Sequence, residues 1–373
     1  MGTILVGIDE AGYGPTLGPL CVAISVFRVA DPSPDKPADK APDLWKLLAQ
    51  GVCKAPGRSG KTDSKGRIAV ADSKALKLPN SVVTTHPLIH LERGVLSFLR
   101  HRASNSITPA TDLDLFDALF AGGSNTRATS LADELNPANL KTFARPSVRG
   151  AHACYLGKPI PLPTAVYSNE LGINANTVAR ALSTGGVELL DLACVLVWEN
   201  DFNRRIREGM NKADVSGGAV AVLMNKALDL AALFATKGDR VGIVCDRQGG
   251  RMVYGPWLER ALPGATIEML SEDESRSRYV LHQTRNASPL RAGVAFMVEA
   301  EQHHLPVALA SMTAKYCREL AMARFNAHWS AVALAQGFAL ASTAGYATDA
   351  RRWLTDMQST LSFEDRNSLV RIA

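Results

Sequence analysis

The spacing of apolar and polar residues changes several times along the chain, and each change marks an element. Residues 3–8 form a short β-branched apolar run that stops at Asp9-Glu10-Ala11-Gly12, which predicts a buried strand ending in a tight turn. Residues 20–29 (LCVAISVFRV) read as a second strand, near enough to pair antiparallel with the first. Residues 88–102 place apolar side chains at helical spacing. Residues 187–197 and 240–245 have the look of further buried strands, and residues 217–236 between them form an Ala/Leu/Met-rich helix. Strand, helix, strand in that order implies a parallel crossover. Residues 265–270, 278–284 and 293–298 predict three more strands. A long helix runs from about 306 to 329 and another spans 348–357.

Two stretches break the pattern. Residues 30–68 are Pro-, Lys-, Gly- and Ser-rich around a short helical patch at 44–48, and are read as a surface insertion. Residues 103–168 are irregular and rich in Ser, Thr, Asn and Pro, which predicts loops and short helices. No internal repeat is visible. The expected organisation is a single α/β domain over 1–373, with a mixed central sheet flanked by helices, these two insertions, and a C-terminal helical part from about 306 to 373.

Composition narrows the class without fixing it. With 46% apolar and 21% charged residues the chain resembles an ordinary globular protein, which excludes wholesale disorder. A formal charge of +5 permits a polyanionic partner without demanding one. Six cysteines, at 21, 53, 154, 194, 245 and 317, include no close pair, which argues against a zinc site or a disulfide framework and for a reducing compartment. Acidic residues interrupt the first apolar run too early for a signal peptide, and no apolar stretch approaches the ~20 residues that span a bilayer. A cytoplasmic protein without a membrane partner is expected.

The chemistry concentrates where the first strand ends. Consecutive strand side chains point to opposite faces. A turn at Gly12, Gly14 and Pro15 would let Asp9 and Glu10 converge on one cation, and hard Mg2+ or Mn2+ prefers such oxygen ligands. The string Asp9-Glu10-Ala11-Gly12-Tyr13-Gly14-Pro15, followed by Gly18-Pro19, closely resembles the N-terminal signature of type 2 ribonuclease H (ribonuclease HII). Further islands follow in the family's order. Asp72-Ser73-Lys74 resembles its D-S-K segment, and residues 243–246 (IVCD) form an apolar strand ending where the family has its third metal-binding aspartate. Residues 310–319 (ASMTAKYCRE) are similar to its helical A-S-I-x-A-K-x-x-R-D segment. Gly345-Tyr346, followed by Thr348, looks like its G-Y-G-T element, and residues 365–369 faintly resemble its terminal H-R-x-S-F.

The resemblance implies a ribonuclease H-like fold and a two-cation site (Mg2+ or Mn2+) built from Asp9, Glu10, Asp246 and a fourth carboxylate. Counting fourteen positions back from Lys315 gives Glu301, with Glu299 as the competitor. The neighbouring His303 and His304 read as surface residues. Implied substrate contacts are Gly12, Tyr13 and Gly14 at the ribose 2′-hydroxyl, Ser73, Lys74, Lys315 and Arg318 at backbone phosphates, and Tyr346 stacked on a sugar or base. Expected partners are RNA/DNA hybrids or duplex DNA holding ribonucleotides, cut to 5′-phosphate and 3′-hydroxyl ends. Tyr13 departs from the family's arginine, and Arg247, following Asp246 where the family has glycine, could restore charge there. A related nuclease acting on a DNA junction or structured RNA, a non-catalytic nucleic-acid binder on this fold, and an unrelated α/β enzyme are the alternatives.

Residues 54–67 hold five cations and one acid. They are read as a solvated insertion, with a phosphate-contacting arm as the alternative. GRSGKT within them is not a phosphate loop, because the spacing puts Ala55 where the first glycine belongs.

Overall fold

The structure, a computed structural model, describes residues 2–30, 41–104, 106–120, 151–236 and 239–372. Nine strands occur among these residues: β1 (Gly2–Ala11), β2 (Leu20–Ala30), β3 (Val52–Cys53), β4 (Ile68–Ala69), β5 (Val187–Val197), β6 (Arg240–Asp246), β7 (Thr266–Glu272), β8 (Arg276–Arg285) and β9 (Ser288–Met297). The helices are α1 (Leu44–Leu47), α2 (Ser73–Leu76), α3 (Ile89–Leu99), α4 (Asp112–Leu119), α5 (Ser168–Gly185) and α6 (Glu199–Arg207). After them come α7 (Lys212–Phe234), α8 (Gly255–Ala261), α9 (Leu305–Ala335), α10 (Ala347–Asp356) and α11 (Phe363–Leu369).

Seven strands make one mixed sheet in the order β5-β2-β1-β6-β9-β8-β7, while β3 and β4 pair separately. The antiparallel β1–β2 hairpin forms as its two apolar runs predict, and β6 joins β1 in parallel. Because β5 opposes β2 and β2 opposes β1, β5 and β6 run the same way with two strands between them, joined through α7. This is the expected parallel crossover.

Each face of the sheet buries its own core. Ile4, Val6 and Ile8 of β1 point to the side covered by α7, whose Val220, Met224 and Leu228 are fully or almost fully buried. By length and composition α7 is apolar enough to cross a membrane, with a mean hydropathy of 1.4, contrary to the sequence expectation; here it is a core helix, half buried against the sheet. Leu5, Gly7 and Asp9 point to the other side, where α3, α5 and α9 pack. The start of α9 lies directly on β1, since a Cβ at Gly7 would stand 2.1 Å from backbone atoms of Pro306 and Val307. The Ser25 hydroxyl ties the same turn by donating to the Pro306 carbonyl at 2.7 Å.

Three expectations change. The first strand does not end at Ile8; it pairs with β2 through Asp9, Glu10 and Ala11, and the turn comes at Gly12 (φ +88°). Residues 41–68 are more than a surface loop, because Leu44, Leu48, Val52 and Ile68 enter the core and Arg93 reaches the Gly60 carbonyl at 2.8 Å. Their apolar positions are too sparse to show a period. Helix α5 lies in a stretch from which no element was expected, although Leu171, Ala175, Val178 and Leu182 are buried at helical spacing and Gly186 (φ +60°) stops the chain. Within 103–168, α4 forms as one of the expected short helices, while residues 121–150 lie outside the described residues.

Candidate active site

Strands β1 and β6 run in parallel with Ile8 beside Cys245, so Asp9 and Asp246 come next to each other at their C-terminal ends. Asp9 faces α9 and is only 8% exposed. Burial, then the charge of Asp246, holds its carboxyl well above the usual carboxylate range, while a hydrogen bond with Ser311 pulls the other way. The Ser311 and Ser73 hydroxyls are hydrogen-bonded to each other at 2.9 Å, which links α9 to the start of α2.

Asp246 is half-buried and accepts the Ala300 N–H at 3.0 Å, while the Arg247 N–H donates to the Met297 carbonyl. These bonds draw the chain after β9 against the end of β6. Glu299 takes a left-handed conformation (φ +52°), and the 3-10 turn Ala300–Gln302 follows. That turn carries Glu301 inward, 6% exposed, and leaves Glu299 exposed. Burial, then the charge of Asp246, raises the Glu301 carboxyl. Its Oε2 is buried without a hydrogen-bond partner. Asp246 is raised by burial and by Glu10, and Lys74 favours its ionised form.

Glu10 stands on the other face, because the strand continues through it. Its Oε2 accepts from the Ser216 hydroxyl at 2.5 Å and from Gln248 Nε2 at 2.9 Å, and Gln248 also donates to Ser216. The expected convergence of Asp9 and Glu10 by a turn is therefore corrected: they flank the end of β1 from opposite faces, with Asp246 sensing Glu10 and itself acting on Asp9 and Glu301. Among the described residues no three His, Cys, Asp or Glu side chains stand in metal-holding geometry. The donors still suit a hard cation: they are oxygens only, they repel one another, and one buried oxygen lacks a partner.

The expected substrate residues divide. Lys74 is exposed at the start of α2, close enough to act on Asp246 and Glu301. Lys315 is ion-paired with Glu319 at 2.6 Å, and its ammonium lies 5.9 Å from the ring of the exposed Tyr346. Arg318 does not reach solvent. It is 1% exposed, and its guanidinium donates to the carbonyls of Leu17, Pro19 and Ala344, which corrects its reading as a phosphate contact. Arg247 donates to the carbonyls of Asp273 and Glu274 in the β7–β8 turn, and so is engaged there rather than beside Tyr13. Gly12 requires its glycine, since a Cβ would meet the Pro19 carbonyl at 2.7 Å, whereas Gly14 faces open space. The Tyr13 ring lies 5.7 Å under the Lys212 ammonium, with its hydroxyl against Gly249.

Sequence reasoning missed Ser216, Gln248, Glu199 and Arg371. Glu199 is buried, accepting from the Gly18 N–H at 2.9 Å and the Tyr155 hydroxyl at 2.5 Å. Arg371 donates to carbonyls of Gly12, Tyr13 and Gly18. An acid directly after the apolar β5 and Trp198 was a readable cue for Glu199; nothing local marks the other three.

No protein-family model matches the sequence, and no curated protein matches it. Among solved structures, that of Bst-RNase HIII in complex with Mn2+ aligns with 99% of this chain and 66% of its own, at 12% identity and a TM-score of 0.39, so the chain spans just under two thirds of that protein. The PCNA:RNase HII complex from Archaeoglobus fulgidus aligns over 99% of this chain and 94% of its own, at 13% identity and a TM-score of 0.38. Ribonuclease H2 from Pyrococcus horikoshii OT3 aligns over 99% and 92%, at 12% identity and a TM-score of 0.37.

Proposed function

We propose that the chain is a divalent-cation-dependent endonuclease of ribonuclease H type that hydrolyses the RNA strand of RNA/DNA hybrids, or duplex DNA at embedded ribonucleotides. The observation that carries this reading is the meeting of Asp9, Asp246 and Glu301, three acids remote in sequence whose burial and mutual repulsion hold their carboxyls high, with one buried oxygen unpartnered. A soluble core gains nothing from such a cluster, whereas a cation site needs it. Asp9, Asp246 and Glu301 would hold Mg2+ or Mn2+, with Glu10 closing the set from the opposite face. Held there, a divalent cation would supply Lewis acidity, acidifying a water and offsetting charge at the leaving 3′-oxygen. The Ser311 hydrogen bond favours ionised Asp9, and the Lys74 charge favours ionised Asp246 and Glu301, each against the larger effect of burial. Lys74 and Lys315 would meet backbone phosphates of the substrate, and Tyr346 offers an exposed ring for stacking.

A second reading keeps the chemistry and changes the substrate to another structured nucleic acid. It is favoured by Tyr13, whose ring packs toward Lys212 and Gly249 where an arginine was expected. The test is cleavage of a panel (RNA/DNA hybrid, duplex DNA with one ribonucleotide, duplex DNA, a DNA junction, double-stranded RNA) with each cation. Cleavage of the first two alone supports the first reading, and activity confined to the others supports the second. Asp9→Asn should abolish cleavage and leave binding largely intact; retained cleavage would sink both.

A further inference from the structure

Arg371 is 4% exposed, and its main-chain N–H donates to the Thr16 carbonyl. Its guanidinium sits beneath the 12–19 loop, donating to Gly12 O at 2.6 Å, Gly18 O at 3.4 Å and Tyr13 O at 2.7 Å, and lies 4.4 Å from the Phe202 ring centroid. Asn203 fixes the segment that delivers it, bonding Asn367 O, Val370 O and the Ile372 N–H. Arg318 takes the Leu17 and Pro19 carbonyls of the same loop.

Two consequences follow from elementary geometry. In a trans peptide the C=O and the next N–H point opposite ways. Pulling the Gly12 and Tyr13 carbonyls down onto Arg371 therefore turns the Tyr13 and Gly14 N–H groups up and away from the core, and among the described residues neither meets an acceptor. The underside of the loop also holds two guanidinium groups against one carboxylate, Glu199. Burial pulls Arg371 down to about 10, so it stays charged at neutral pH. Its field reaches Glu10, Tyr13 and Lys212.

We propose that Arg371 is a positioning residue, which aims the Tyr13 and Gly14 amides at a backbone oxygen of the bound nucleic acid and charges the loop from beneath, replacing the cation that Tyr13 does not carry. The proposal rests on the nuclease reading above, and it assigns Arg371 no direct contact with substrate.

The test compares the unaltered protein with Arg371→Lys, which keeps the charge and loses the fork, and Arg371→Ala. Binding of a fluorescent RNA/DNA hybrid is measured in Ca2+ at several salt concentrations, together with cleavage in Mn2+ below every variant's melting temperature. Expected is a loss of hybrid affinity of about tenfold for Ala and about threefold for Lys, appearing in KM more than in kcat. The slope of log Kd against log salt should stay unchanged, because a buried guanidinium releases no counterion, whereas a direct phosphate contact would lower it by ~1. Methylguanidinium should restore part of the affinity of Arg371→Ala. If the variants melt lower yet bind and cleave as the unaltered protein does, Arg371 is a brace for the fold and the proposal fails while the nuclease reading stands. If the unaltered protein neither binds nor cuts any nucleic acid, both fail together.

Discussion

At the scale of single residues the candidate site stores unfavourable charge. Asp9, Asp246 and Glu301 titrate high in the folded protein because burial and neighbouring carboxylates penalise ionisation. A carboxyl whose folded pKa lies above its unfolded value favours the folded state while protonated, and that advantage is lost as pH rises through the folded pKa. At neutral pH without divalent cations, Asp9→Asn should therefore raise the melting temperature, on the order of 1–3 °C, while abolishing cleavage. The difference should shrink as pH is lowered toward the carboxylate range, and Mn2+ should reverse it by stabilising only the unaltered protein. Calorimetric melts in EDTA and in Mn2+ decide this. His90 works in the opposite sense: burial, then Arg93, lowers it to about 4, so its contribution is present above pH 6.5 and lost as pH falls from there toward 4. His90→Gln should flatten the decline of the denaturant midpoint across that window.

At the scale of elements the sequence was most legible where one apolar period persisted. Strand β5 spans the expected 187–197, and α9 and α10 fall close to their expected places. The end of β1 was misplaced because two acids interrupt its apolar run, while the ladder with β2 continues to Ala11 opposite Cys21. Helix α6 (ENDFNRRIR) escaped notice because it offers only Phe202 and Ile206 as apolar residues, and its place is set by what it packs against. Helix α9 depends on closeness to β1, so Gly7→Ala must push Pro306 aside and should cost about 1–3 kcal/mol in urea unfolding. It also depends on Arg324, whose buried guanidinium pairs with the fully buried Asp112 at 3.0 Å. Arg324→Met leaves that carboxylate uncompensated and should cost roughly 3–5 kcal/mol by the same measurement.

At the scale of the whole molecule, the acids of the site could be named because each lies at the end of an apolar run or at a fixed distance from a recognisable string. Their supports could not. Glu199 meets Gly18 across 181 positions, Gln248 meets Glu10 across 238, and Arg371 meets Gly12 across 359, separations at which no local pattern survives. The parallel pairing of β1 with β6 belongs to this long-range class, opening with the Gly2–Asp239 bond that spans 237 positions. Closures of that span are slow, because chain entropy is lost before any contact rewards it. Asp9 and Asp246 thus become neighbours only when β6 pairs with β1, and we predict that this docking comes late in folding and that its loss takes the site apart. Hydrogen-exchange protection of the 241–246 amides and catalytic competence should then appear together during refolding, and be lost together under mild denaturant while the β1–β2 hairpin still resists exchange.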